Sequence, residues 1–260
     1  MELLSRHFHL SVDRPSIHPP YMNSSSLPPP SSSGLVPLWM ILTTMITSLL
    51  GLMGNLLIIT ATAKTNQLQN RCGIMIATLA VADTIICFYL IQLRVLQLFD
   101  WYLIPNEYCF LVSLHGIFCL SVQSFMGLSL GIDRLLAVMA PIRYKLLPKW
   151  VHGALIISAL IYAMIITGIG AFDMGKTTVP VCMPPTAFNV FSRFIWIGAS
   201  FILGLFTLIV YAVAQYKCAR MGRTVERTNR NSYLRLKRML NSLTVVVLVY
   251  AFTWFLTVCA

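Results

Sequence analysis

Charged residues are what this chain has least of. Only 10% of its 260 residues are Asp, Glu, Lys or Arg, and 57% are hydrophobic. Soluble domains carry about 25% charged residues, so an ordinary soluble fold is excluded. Acids are scarcer still: 8 stand against 19 Lys and Arg, for a net charge of +11. That surplus would suit nucleic acid, but 14 of the 19 basic residues fall within 64–73, 133–149 and 215–240, each flanked by apolar stretches. A nucleic-acid binder spreads its basic patch over a soluble fold, so nucleic acid is not an expected partner. The chain also lacks HExxH, CxxC, a phosphate loop and Gly-x-Ser-x-Gly. His7, His9 and His18 lie near the N-terminus, whereas His115 and His152 lie near opposite ends of different apolar stretches. No catalytic or metal constellation emerges, and no enzyme activity is expected.

What the chain has in abundance is long apolar runs. Five cover about 35–62, 73–93, 108–133, 152–172 and 194–216, and a sixth begins near 238 and runs to Ala260. Each is long enough to cross ~30 Å of hydrocarbon as a helix. Helices satisfy their own backbone hydrogen bonds in lipid, so the predicted fold is all-α, a multi-pass transmembrane bundle. Orientation follows from the basic residues. With the N-terminus outside, the inner segments hold Lys64, Arg71, Arg134, Arg143, Lys145, Lys149 and the eight from Lys217 to Arg238. Only Arg6, Arg14, Arg94, Lys176 and Arg193 remain outside, so the positive-inside rule places the N-terminus outside. On that topology six crossings end outside at Ala260, and the chain reads as unfinished.

Residues 1–34 are rich in Ser and Pro and contain no apolar signal-peptide core, so a disordered extracellular tail is expected ahead of a membrane domain over 35–260. Asn23-Ser24-Ser25 is a glycosylation sequon on the outer side, either used or idle. Of seven cysteines, Cys87, Cys119 and Cys259 sit in spans, and Cys72 and Cys218 on the reducing side. Cys109 and Cys182 are the pair left outside, where a disulfide persists; the alternative is two free thiols.

A few polar groups interrupt the spans. Asp83 lies ten residues into the second, where a carboxylate must face the bundle interior with a polar partner or an ion, with sodium the candidate. Asn55 lies at comparable depth in the first and can donate an amide hydrogen bond to it. Such a pair is either a structural clamp or a centre whose protonation or ion occupancy changes between conformations. Asp133 and Arg134 stand where the third span reaches water, and Pro141 is expected to end that helix. Taken alone they read as an interfacial pair with snorkelling side chains. From Cys109 to Arg134, at about 1.5 Å per helical residue, is roughly 38 Å, a full bilayer with its interfaces. Arg220, Arg223, Arg227 and Arg230 repeat like a voltage sensor, but the residues between them are too polar for a span. A solvated helix extension or loop facing anionic lipid or an acidic partner fits better.

Over about 34–260 these landmarks together resemble the rhodopsin-like (class A) G-protein-coupled receptors. The residues that carry the likeness are Gly54-Asn55, Leu79-Ala80-Val81-Ala82-Asp83, Cys109, Asp133-Arg134 at the Asp-Arg-Tyr position, Cys182, Tyr211 at the fifth span's inner tyrosine and Trp254 at the sixth span's tryptophan. Gly131-Ile132-Asp133-Arg134-Leu135 and Ala140-Pro141-Ile142-Arg143-Tyr144-Lys145, with a sixth span lacking proline, look most like nematode serpentine chemoreceptors of the srsx type. Several positions depart from the pattern. Leu135 replaces the usual tyrosine, the fourth span has no tryptophan, and Leu203 stands where the fifth usually has proline. Leu236 stands where many relatives have an acid to hold the arginine, which leaves Asp133 to restrain it. Gly116 replaces the aspartate of amine receptors and disfavours an amine ligand. The seventh span and its Asn-Pro-x-x-Tyr are not found.

The resemblance implies six spans of a seven-helix receptor in the plasma membrane, binding an extracellular small chemosensory molecule or peptide. Asp133, Arg134, Tyr211 and Trp254 would form the switch that engages a heterotrimeric G protein. A small transporter or channel is the rival from another class, but it needs charges lining several spans or inverted repeats. A truncated, non-signalling receptor is a third reading.

Overall fold

Long apolar helices expose their backbones poorly to lipid and pack by their side chains, and the architecture follows that logic. The computed structural model describes residues 36–66, 69–99, 101–140, 144, 146, 148, 150–175, 177–225, 238, 240, 241, 244, 245 and 248, with Arg71 and 221–225 by backbone alone. Helices α1 (Leu38–Lys64), α2 (Arg71–Leu98), α3 (Asn106–Met139), α4 (Trp150–Phe172) and α6 (Val190–Val225) are each long and apolar enough to cross a membrane. A single turn, α5 (Pro184–Ala187), precedes α6. The expected sixth span falls largely outside the described residues, although Arg238, Leu240, Asn241, Thr244, Val245 and Leu248 are helical.

The helices outrun the predicted spans at several ends. Helix α2 continues to Leu98 and so includes Arg94, which the apolar run to 93 leaves in an outer segment. Helix α3 continues through Arg134 to Met139 and is capped at Ala140, whose N–H donates to Leu136 O at 3.1 Å. It stops one residue ahead of Pro141, as a proline's lack of an N–H and its clash with the preceding turn require. Helix α6 extends to Val225, and Lys217 and Arg220 on that extension are exposed.

Helix α3 is the axis of the bundle: half of its most apolar window is buried, against 11% in α1. It packs against α2, α4 and α6, while α1 packs on α2. Large apolar side chains face outward from the peripheral helices, including Trp39, Leu57, Ile161, Met164 and Phe194, as a lipid-facing surface demands.

One departure from an all-α fold sits at one end of the bundle. Strands β1 (Ile104–Pro105) and β2 (Thr178–Val179) pair antiparallel, Ile104 opposite Val179 and Pro105 opposite Thr178. Asn106 completes the junction. Its buried amide donates to Thr186 O and Ala187 O, both at 3.0 Å, and its backbone N–H to Thr177 O at 2.8 Å. The Cys109–Cys182 disulfide closes the same junction, with Cα atoms 5.5 Å apart across 73 residues. The other end carries Arg134, so the two are called the disulfide end and the arginine end.

Candidate functional site

At the arginine end the site is organised by one carboxylate. Asp133 and Arg134 are adjacent on α3 and both buried, at 1% and 5% exposure. Asp133 Oδ2 accepts from Arg134 Nη2. Its Oδ1 accepts from Tyr144 Oη at 2.8 Å and lies 2.9 Å from His152 Nε2. Thus α3, the segment after it and the first turn of α4 converge on one buried acid. A buried carboxylate is costly unless each lone pair finds a donor, and three donors meet that need. The rings of Tyr144 and His152 meet edge to face, 6.2 Å between centroids.

The polarity of the hub follows from its partners. Burial first, then the charge and hydrogen bond of Asp133, push the Tyr144 hydroxyl well above the usual phenol range, so it stays a donor. His152 donates through Nε2, the tautomer assigned because the buried Nδ1 has no hydrogen-bond partner among the described residues. The buried Cys72 thiol near the start of α2 lies beside the Arg134 guanidinium. Tyr211 is buried on α6 with its ring against Gly131, where an added Cβ would stand 2.9 Å from Tyr211 Cε2. The small residue lets α6 close on α3 one turn from the pair. Val138, Ala214, Cys218 and Leu240 complete that packing.

The sequence placed Asp133 and Arg134 at a solvent rim; the structure buries them, because Tyr144, His152 and Tyr211 cover them. Tyr144 and His152 were not among the predicted site residues. A polar histidine in the first turn of an apolar helix, and a tyrosine just past a helix-ending proline, were the available signals. No hydrogen bond joins Asn55 to Asp83 among the described residues, and one Asp83 carboxylate oxygen is buried without a partner. Gly51 brings α1 and α2 together one turn away, an added Cβ there standing 3.0 Å from Cys87 Sγ, yet half-buried Asn55 does not close the remaining gap. Trp254, Leu236, Cys259, Arg223, Arg227, Arg230 and Asn23 fall outside the residues whose side chains are described.

At the disulfide end Cys109 and Cys182 are bonded as expected and sit in a core with Phe110, Val179, Phe188 and Trp196. Phe188 stacks on Trp196 at 5.5 Å and meets Phe110 at 5.8 Å. Gly170 makes room for both, since an added Cβ would stand 2.5 Å from Phe188 and 2.6 Å from Phe110. Gly116 plays the same part for Tyr89, whose ring would lie 2.3 Å from a Cβ there. A side chain at the amine-receptor position is therefore displaced by an aromatic ring from α2.

Helix α3 joins the two ends, and residues 48–260 match the model of the serpentine type 7TM GPCR chemoreceptor Srsx. The chain belongs to the Srsx family. No curated protein matches it. Srsx membership makes this a multi-pass membrane protein with a chemoreceptor's helical bundle, and its family is a receptor family rather than an enzyme class. In this Srsx chain the described residues hold no group of three or more His, Cys, Asp or Glu that could bind a metal ion.

Proposed function

We propose that this Srsx protein is a plasma-membrane receptor with its N-terminus outside. It takes a small chemosensory molecule or a peptide at the disulfide end and activates a heterotrimeric G protein at the arginine end. One observation carries the reading. Arg134 is buried on the central helix against an acid that has two further donors of its own, Tyr144 and His152. When the guanidinium swings away, Asp133 keeps two hydrogen bonds, so release leaves no bare buried charge. That is what a two-state switch needs: two conformations close enough in free energy for a ligand's preference to shift the population. The basic residues 217–238 suit an acidic partner and a cytoplasmic arginine end. At mid-span, an Asp83 oxygen buried with no partner among the described residues supports a sodium ion as its resting partner.

The test is guanine-nucleotide exchange on purified heterotrimer in membranes holding wild type or Arg134→Ala at equal surface density. Wild type should raise exchange above receptor-free membranes and the variant should not. Equal exchange from both would remove Arg134 from the coupling surface.

A further inference from the structure

Two asparagines stand at helix starts in this bundle, and they use their side chains differently. Asn70 precedes α2 and accepts from Gly73 N at 2.8 Å, the ordinary cap on its own first turn. Asn106 opens α3, is 2% exposed, and reaches residues 69 to 81 positions later. Its Nδ2 donates to Thr186 O and Ala187 O, both at 3.0 Å, and its Oδ1 accepts from Gly175 N at 3.4 Å. One side chain thus touches both ends of the segment 173–189 that links α4 to α6. The disulfide grips the same segment between those ends, at Cys182.

The need for the two donated bonds is local. Carbonyls in the last turn of a helix have no partner within it, and α5 is a single turn. A buried carbonyl left without a donor costs more than a hydrogen bond returns, so the Asn106 amide is what lets Ala187, at 1% exposure, turn inward. Other bonds fold the segment upon itself. The Thr186 hydroxyl accepts from Met183 N at 2.8 Å and donates to Val181 O at 2.7 Å. Asp173 Oδ2 accepts from Ser192 N at 2.9 Å, and Arg193 Nη2 donates to Phe188 O at 3.1 Å. Neither cysteine takes part in any of these bonds. A disulfide acts mainly by restricting the unfolded chain, so its loss lowers stability without by itself moving a segment that other bonds hold.

We propose that Asn106 is the positioning residue of segment 173–189. Its carboxamide fastens the two ends of the segment to α3, and this fastening suffices to seat the segment without the Cys109–Cys182 bond. The two ties act on different states: the disulfide limits the unfolded chain, and Asn106 sets where the segment rests in the folded one.

The experiment is hydrogen exchange of the full chain in lipid nanodiscs, with protection in peptides covering 181–189 compared with protection in α1. Asn106→Ala should lower protection of 181–189 at least about tenfold while the disulfide stays formed, the effect of leaving two carbonyls without a donor. Cys109→Ser combined with Cys182→Ser should change it by less than about threefold, although that protein unfolds at a lower temperature. Asn106→Asp separates donation from packing because it keeps the shape of the side chain. As a carboxylate it cannot donate, so it should match Asn106→Ala at neutral pH. On acidification the neutral acid can donate to one carbonyl, and part of the protection, corrected for intrinsic exchange rates, should return; Asn106→Ala should show no such recovery. Full protection in Asn106→Ala, an equal loss in the paired cysteine variant, or no acid recovery in Asn106→Asp would overturn the proposal. So would a loss that spreads equally to α1, since Asn106 would then support the whole bundle rather than the segment.

Discussion

His152 Nε2 stands 2.9 Å from Asp133 Oδ1, bringing the first turn of α4 into contact with the acid that holds Arg134. The acid thus has more donors than its ion pair requires. That surplus gives removal of a donor and removal of the acceptor opposite consequences.

Removing a donor should favour the resting state. In Tyr144→Phe or His152→Ala, Asp133 still has Arg134 at rest but only one donor once Arg134 has left. The released state therefore loses more. A hydrogen bond to a charged group contributes about 1.5–3 kcal/mol, so ligand-driven nucleotide exchange should fall about tenfold or more at equal surface expression. Basal exchange should not rise. A clear rise in either variant would mean that these donors restrain Arg134 instead.

The disulfide should hold the hairpin and the α3 start together. Cys182→Ser opens a 73-residue loop, and loss of such a bond typically costs about 2–5 kcal/mol. Non-reducing peptide mapping should return a Cys109–Cys182 species, and the variant should unfold at lower temperature than wild type. Two alkylated free thiols in the wild-type protein would refute the pairing.

Two glycines are set by ring contacts rather than by backbone conformation. Gly116→Ala puts a Cβ 2.3 Å from the Tyr89 ring, and Gly170→Ala puts one 2.5 Å from Phe188. Neither ring sits at the tip of a flexible side chain, so each substitution should cost about 1–3 kcal/mol through overpacking. Gly54→Ala, with nothing within 4 Å, should be neutral or slightly stabilising by helix propensity. Thermal unfolding of the three variants in one detergent would separate the first two from the third.

Hydropathy and charge made the membrane helices legible, and topology isolated Cys109 and Cys182 as the oxidisable pair. Asp133 and Arg134 were visible as residues, but not their burial. The covering groups, Tyr144 and His152, come from neighbouring segments and share no periodicity with α3. Arg94 was misplaced for a related reason. A charge near a span's end reads as a boundary, whereas here Gln97 one turn on shares its burial and the helix continues. Asn106 was silent in the sequence because its partners, Thr186 and Ala187, lie some eighty residues away. Asn55 and Asp83 share a depth in the sequence, and depth alone does not set side-chain direction.

Basal nucleotide exchange of Asp133→Asn tests the switch most directly. Neutralising the acid removes the counter-charge of a buried arginine and frees it. Exchange without ligand should therefore rise several-fold above wild type at equal surface density, and the further change Arg134→Ala should return it to background. An Asp133→Asn protein that reaches the surface and exchanges no faster than wild type would contradict the claim that Asp133 holds Arg134 at rest.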